Sequence, residues 1–97
     1  MKIYIAGKIT GLPIEVAYAA FEKTEQHLKD EGHEPVNPMK LQHNHGRTWA
    51  EYMRECFNAL RECEAIYMMP GYINSIGACA EHEVARSLRL KVIYATC

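Results

Sequence analysis

The chain has 97 residues, 24% of them charged, and a formal net charge of −1. That length fits one small domain (residues 1–97) with a single modest core, and the near-neutral balance offers no basic face to a nucleic-acid polymer. No apolar run reaches the roughly 18 residues of a membrane span, and the opening MKIYIAG is too short and strand-like for a secretion signal, so the cytoplasm is the expected compartment.

Lys2 to Ala6 is β-rich and mostly apolar, and Gly7 ends it, which predicts a strand buried on both faces. KITGLP follows as a loop. Pro13 starts a helix at little cost, Ile14, Tyr18, Phe21 and Leu28 recur at helical spacing, and Gly32 ends it near Glu31. His33 to Val36 reads as a short second strand stopped by Pro38, and residues 37–47 read as a loop. Thr48 and Glu51 have capping-box spacing ahead of a helix to about Cys63, with Trp49, Met53, Cys56, Leu60 and Cys63 as its apolar stripe. Ala65 to Met69 is a third strand. Ser75 or Asn74 caps a third helix to about Leu88, and Lys91 to Ala95 is a fourth strand.

The order βαβαβαβ predicts an α/β fold. About four strands form a parallel, flavodoxin/Rossmann-like sheet with helices on both faces, three layers in all. In such sheets ligands bind beyond the carboxyl ends of the strands, here Gly7–Gly11, Asn37–Pro38 and Pro70–Gly77. Glu81 follows Gly77-Ala78-Cys79-Ala80 in that crevice. If Ile76, Ala80, Val84 and Leu88 face the sheet, Glu81 lies about 100° round from Ala80, at the border of the buried face. Small neighbours leave the helix start bare for a ligand, its free N–H groups favour anions, and the helix dipole favours an ionised Glu81. Such a carboxylate suits a covalent nucleophile. Equally, acidic residues are common near helix starts for the dipole alone.

Four cysteines, Cys56, Cys63, Cys79 and Cys97, form no CxxC pair and read as free thiols. Cys56 and Cys63 fall on an apolar stripe, while Cys79 sits in a first helical turn without an evident partner base. His43-Asn44-His45 lacks the paired cysteines of a structural zinc site and reads as a polar loop over the pocket mouth. Arg47 in that loop is either a phosphate ligand or a solvated arginine.

Read together, Tyr4-Ile5-Ala6-Gly7, Thr10-Gly11, Asn37-Pro38, Trp49, Tyr52-Met53, Cys63-Glu64-Ala65-Ile66-Tyr67, Pro70-Gly71, Ser75, Gly77-Ala78 and Glu81 cover nearly the whole chain. In this order they resemble the nucleoside 2-deoxyribosyltransferase-like superfamily, and within it the DUF4406 branch of small phage and bacterial proteins. The resemblance implies cleavage or transfer of the N-glycosidic bond of a 2′-deoxynucleoside or its 5′-monophosphate, with no cofactor and no metal. The alternative is a nucleotide-binding module without turnover. Glu81 would be the nucleophile, positioned by Tyr4, whose other reading is sheet packing. Substrate contacts would fall to Gly7, Thr10, Gly11, Asn37, Ser75 and Gly77.

The resemblance also implies a small-molecule partner and a homo-oligomer. Ser75 matches the serine that contacts phosphate in the monophosphate N-glycosidases of the superfamily; it also suits a plain helix cap. Two positions depart from the pattern. Glu64 stands where aspartate is usual. Cys56 stands where active members carry an acid on the second helix, and a thiol is a poor substitute for a carboxylate.

Overall fold

The structure, a computed structural model, describes residues 1–41 and 48–95. The His43 and His45 pair, Arg47 and Cys97 lie outside the described residues. Elements follow the expected order: β1 (Lys2–Ala6), α1 (Ile14–Asp30), β2 (Glu34–Val36), α2 (Trp49–Arg61), β3 (Ala65–Met68), α3 (Ile76–Ser87) and β4 (Lys91–Tyr94). Short 3-10 turns occupy Pro38–Lys40 and Tyr72–Asn74.

Helix boundaries have local causes. Gly32, at φ 86°, follows α1; its N–H donates to the Lys29 carbonyl at 2.9 Å and His33 N–H to the Leu28 carbonyl at 3.0 Å. This is the Schellman closure, which needs a residue that tolerates the left-handed region. Thr48 Oγ1 accepts from Glu51 N–H at 3.2 Å to begin α2, and Ser75 Oγ accepts from Ala78 N–H at 3.1 Å to begin α3.

The strands form one parallel sheet in the order β2-β1-β3-β4. Pleating sends Tyr4, Ala6, Ile66 and Met68 to one face, where they pack with Cys56 and Leu60 of α2 and Ala78 and Ala85 of α3. Ile3, Ile5 and Ala65 go to the other face, against Phe21 and Leu28 of α1. Both faces of β1 are therefore covered, which explains its unbroken apolar run. The chain leaves β1 towards β2 on one side and returns to β3 on the other, so the winding reverses between β1 and β3. Ligand sites of doubly wound sheets lie at that reversal.

Two helices depart from the faces the apolar spacing predicts, α3 at its border and α1 at Ile14 and Tyr18, while Phe21 and Leu28 are buried as expected. On α3, Ile76 is 82% exposed and Leu88 48%, whereas Ala78, Glu81 and Ala85 are buried. Glu81 is thus at the centre of the buried face, not at its border. On α1, Ile14 and Tyr18 are exposed, and Ala17, Phe21, Glu25 and Leu28 are buried. In both helices the face against the sheet carries a carboxylate, beside Ala17, Phe21 and Leu28 on α1 and beside Ala78 and Ala85 on α3.

Candidate functional site

A cleft of about 440 Å³ opens at the carboxyl ends of β1 and β3. The loop after β1 supplies one wall through Gly7, Lys8, Ile9 and Thr10. The amino end of α2 supplies another through Trp49, Tyr52, Met53 and Cys56, at spacings of three, four and seven residues, so one helical stripe runs down the wall. Residues 74–78, the start of α3, close the third side, and Tyr4 and Glu81 form the floor. A Cβ on Gly77 would meet Met53 Sδ at 3.3 Å, so this glycine lets α2 and α3 approach each other. A Cβ on Gly7 would meet Met69 Sδ at 2.6 Å, so packing behind the cleft also demands glycine there.

Glu81 is only 6% exposed. Tyr4 Oη donates to Glu81 Oε2, and Tyr4 itself is fully buried. Burial disfavours the carboxylate and raises its pKa to about 7; the Tyr4 hydrogen bond opposes this only in part. The helix dipole was expected to keep Glu81 ionised, but Glu81 is the sixth residue of α3. The dipole fades within the first turn, so desolvation decides. Burial, and then the Glu81 charge, holds the Tyr4 phenol well above its ordinary range. The Cys56 thiol, between Tyr4 and Tyr52, is pushed up to about 11, chiefly by burial. Tyr52 is likewise raised by burial, next to Cys56. Around one carboxylate of intermediate acidity, the neighbouring groups stay neutral donors at physiological pH.

Of the residues marked in the sequence, the structure brings Tyr4, Gly7, Thr10, Ser75, Gly77 and Glu81 to the cleft. Gly11 lies just beyond it, at φ 89° in the loop. Asn37 does not line it: its side chain donates to Glu25 Oε1 at 3.2 Å and accepts from Met39 N–H at 3.0 Å, and Pro38 faces the cleft instead. Glu64 is also remote, accepting from Lys2 N–H at 3.1 Å at the start of β1. Cys79 Sγ lies 3.6 Å from the Tyr72 and Ile73 carbonyls and braces the preceding turn. Sequence reasoning gave no site role to Lys8, Trp49 or Tyr52. The stripe spacing of α2 was the available signal for the aromatic pair, and for Lys8 its place in the loop after β1. Among the described residues no cluster of three metal-ligating side chains occurs, and no helix is long and apolar enough to cross a membrane.

Residues 1–94 match the sequence model of the family described as "Domain of unknown function (DUF4406)", and the chain belongs to that family. A search of curated proteins with this sequence finds no match. Three solved structures share the fold. A 2-desoxiribosyltransferase from Leishmania mexicana aligns with TM-score 0.73 and 21% identity, over 96% of this chain and 62% of that one. A CMP N-glycosidase from Clostridium botulinum aligns with TM-score 0.66 and 18% identity, over 97% of this chain and 67% of that one. A 2-deoxyribosyltransferase from Bacillus psychrosaccharolyticus aligns with TM-score 0.74 and 18% identity, over 97% and 71%. The chain thus spans about two thirds of the length of these structural neighbours.

Proposed function

We propose that this chain cleaves or transfers the N-glycosidic bond of a 2′-deoxynucleoside or, preferentially, its 5′-monophosphate, with Glu81 as the nucleophile. One observation carries the reading: a single buried carboxylate sits at the floor of an open cleft at the sheet's switch point, held through one oxygen by the Tyr4 phenol. The other oxygen makes no hydrogen bond to a described residue, so it is the one presented to an anomeric carbon. Attack would give a glycosyl-enzyme ester through an oxocarbenium-like transition state, and water or a second base would resolve it. The names of the structural neighbours support the reaction class. Tyr4 acts as a positioning residue and hydrogen-bond donor, and Gly7, Thr10, Ser75 and Gly77 line the sugar and phosphate side.

The domain is one unit over residues 1–97, works in the cytoplasm and assembles as a homo-oligomer; these parts of the proposal rest on the family resemblance and composition. A second reading, nucleotide binding without turnover, is favoured by Cys56. This weakly acidic thiol lies beside Glu81 on the helix face where protonation of a leaving base would be supported.

The test is incubation of the purified chain with a panel of nucleosides and 5′-nucleotides, read by mass spectrometry for free base and for a protein adduct on Glu81. Binding of a nucleotide with neither product would leave the second reading standing and remove the first. Ser75→Asp places a carboxylate at the α3 start and should reduce the preference for monophosphate over nucleoside about tenfold, as read by titration. Equal affinity of wild type for both ligands would remove the phosphate assignment.

A further inference from the structure

The described lining of the cleft carries two charged side chains of opposite sign: Glu81 at the floor and Lys8 on the loop after β1. Lys8 makes no ion pair with another described residue. The same lining includes the aromatic stripe of α2, where Trp49 is 56% exposed and Tyr52 half-buried. Aromatic faces attract cations, most strongly when the cation is taken out of water. The charge pattern complements a zwitterion whose anionic end meets Lys8 and whose cationic ring lies against the aromatic wall near the carboxylate.

We propose that the substrate is a nucleoside 5′-monophosphate whose base carries a formal positive charge on the ring bonded to the sugar, a pyridinium or alkylated purinium nucleotide. This deepens the glycosidic reading above and rests on it. The chemistry of the leaving group agrees with the charge pattern. A neutral base departs as an anion unless an acid protonates it. Beside Glu81 the described proton donors are two phenols and a thiol, all weak acids that burial weakens further. A cationic base needs no proton. The Glu81 oxygen forms its bond to C1′, the C1′–N pair returns to the ring, and the base leaves neutral. Water then bonds to C1′, the ester C1′–O bond breaks, Glu81 recovers its carboxylate, and one proton goes to solvent.

The experiment compares nicotinamide mononucleotide and its 2′-deoxy analogue with cytidine and deoxycytidine 5′-monophosphates. Base release is followed from pH 5.5 to 9, with the uncatalysed rate subtracted. The expected kcat/KM is about 100-fold or more higher for the pyridinium pair, rising with pH to a plateau with no falling limb. Trp49→Leu, at an exposed position that does not endanger folding, should raise KM for the pyridinium nucleotides about tenfold, and for the cytosine nucleotides less than threefold. Cytosine release within tenfold of nicotinamide release overturns the inference and leaves the glycosidic reading intact. So does a falling limb above pH 7, which would reveal a protein acid that protonates the leaving base. Release from none of the four overturns both.

Discussion

Glu25 and Glu81 are both buried carboxylates on helices packed against the sheet, one on each face. Burial pushes both pKa values up, yet they end on opposite sides of the ordinary value. Glu25 accepts from Lys40 Nζ at 2.9 Å and Asn37 Nδ2 at 3.2 Å, with Lys29 Nζ at 3.4 Å, and these donors bring it below the usual range despite the burial. Among the described residues Glu81 has only the Tyr4 phenol as a hydrogen-bond donor and stays at about 7. A carboxylate whose charge is already neutralised by lysines does structural work, tying α1 to the turn at Pro38–Lys40. A carboxylate left with one neutral donor beside an open cleft has no cation among the described residues neutralising it, so it can act on a ligand once ionised.

The largest way to break this contrast is Glu81→Gln. Base release should fall on the order of 10³-fold or more, as for loss of other covalent nucleophiles, with nucleotide binding retained. Its stability effect has a defined sign. The pKa of Glu81 is raised in the folded state from 4.5 to about 7, so within that window the folded protein holds a proton that the unfolded chain has lost. Wild-type stability from this group is full below the unfolded value and falls as pH rises through the folded one. The glutamine variant escapes that loss and should be the more stable by on the order of 3 kcal/mol at pH 8, and nearly equal at pH 4, in urea melts. A glutamine variant that still released base at the wild-type rate would remove Glu81 from the mechanism.

Cys56→Asp comes next. It places a second acid within the lining of the same cleft and should raise release of neutral bases about 10²-fold, with a smaller change for cationic ones. Cys56 is 1% exposed, and a buried unpaired carboxylate destabilises. A cooperative melt is therefore the first measurement. A folded variant without increased turnover, beside a wild type that binds but does not cleave, would favour the binding module.

The contrast also shows what the sequence can and cannot carry. The succession of strands and helices along the chain, the helix caps at Thr48 and Ser75 and the glycine stop at Gly32 were readable because each rests on a few neighbouring residues. The buried face of α1 was readable only in part, through Phe21 and Leu28, and that of α3 was not. Their inward stripes are Ala17-Phe21-Glu25-Leu28 and Ala78-Glu81-Ala85, in which a carboxylate stands where an apolar residue is expected. Binary patterning fails at such positions because the compensating partners, Tyr4 for one and Lys40 for the other, lie far away in the chain. Sheet topology placed Glu81 in the crevice and the family motif gave it a role, where periodicity put it at the border of the buried face. The same motif marked Asn37, whose side chain is instead committed to Glu25 and to the turn.

Tyr4→Phe sharpens the comparison by removing the one hydrogen-bond donor Glu81 has among the described residues. The hydrogen bond favours the charged carboxylate, so its loss should raise the Glu81 pKa further, moving the rising limb of the pH–rate profile up by about one unit. Activity at pH 7 should fall roughly fivefold and recover most of the way at pH 9. Recovery is the outcome that separates a positioning role from loss of packing, because a repacked floor would depress the rate at every pH.

Glu25→Gln has the smallest expected effect and the opposite pH signature. Glu25 is lowered in the folded state, so its stabilisation is present above its unfolded value of 4.5 and is lost as pH falls through the folded one. Glutamine keeps a hydrogen-bonding side chain but gives up the charge that faces Lys40 and Lys29. The partners are half-exposed, so the loss should be only roughly 1–2 kcal/mol at pH 7, shrinking as pH falls below the unfolded value. The two variants therefore bend stability in contrary ways: Glu81→Gln gains on wild type as pH rises, and Glu25→Gln loses on it. Base release by Glu25→Gln should stay within about threefold of wild type, since Glu25 lies outside the cleft and acts on it only through the Pro38 turn. A large drop in kcat at unchanged KM would mean that this ion cluster is coupled to the nucleophile across the sheet, and the division between a structural and a reactive carboxylate would fall.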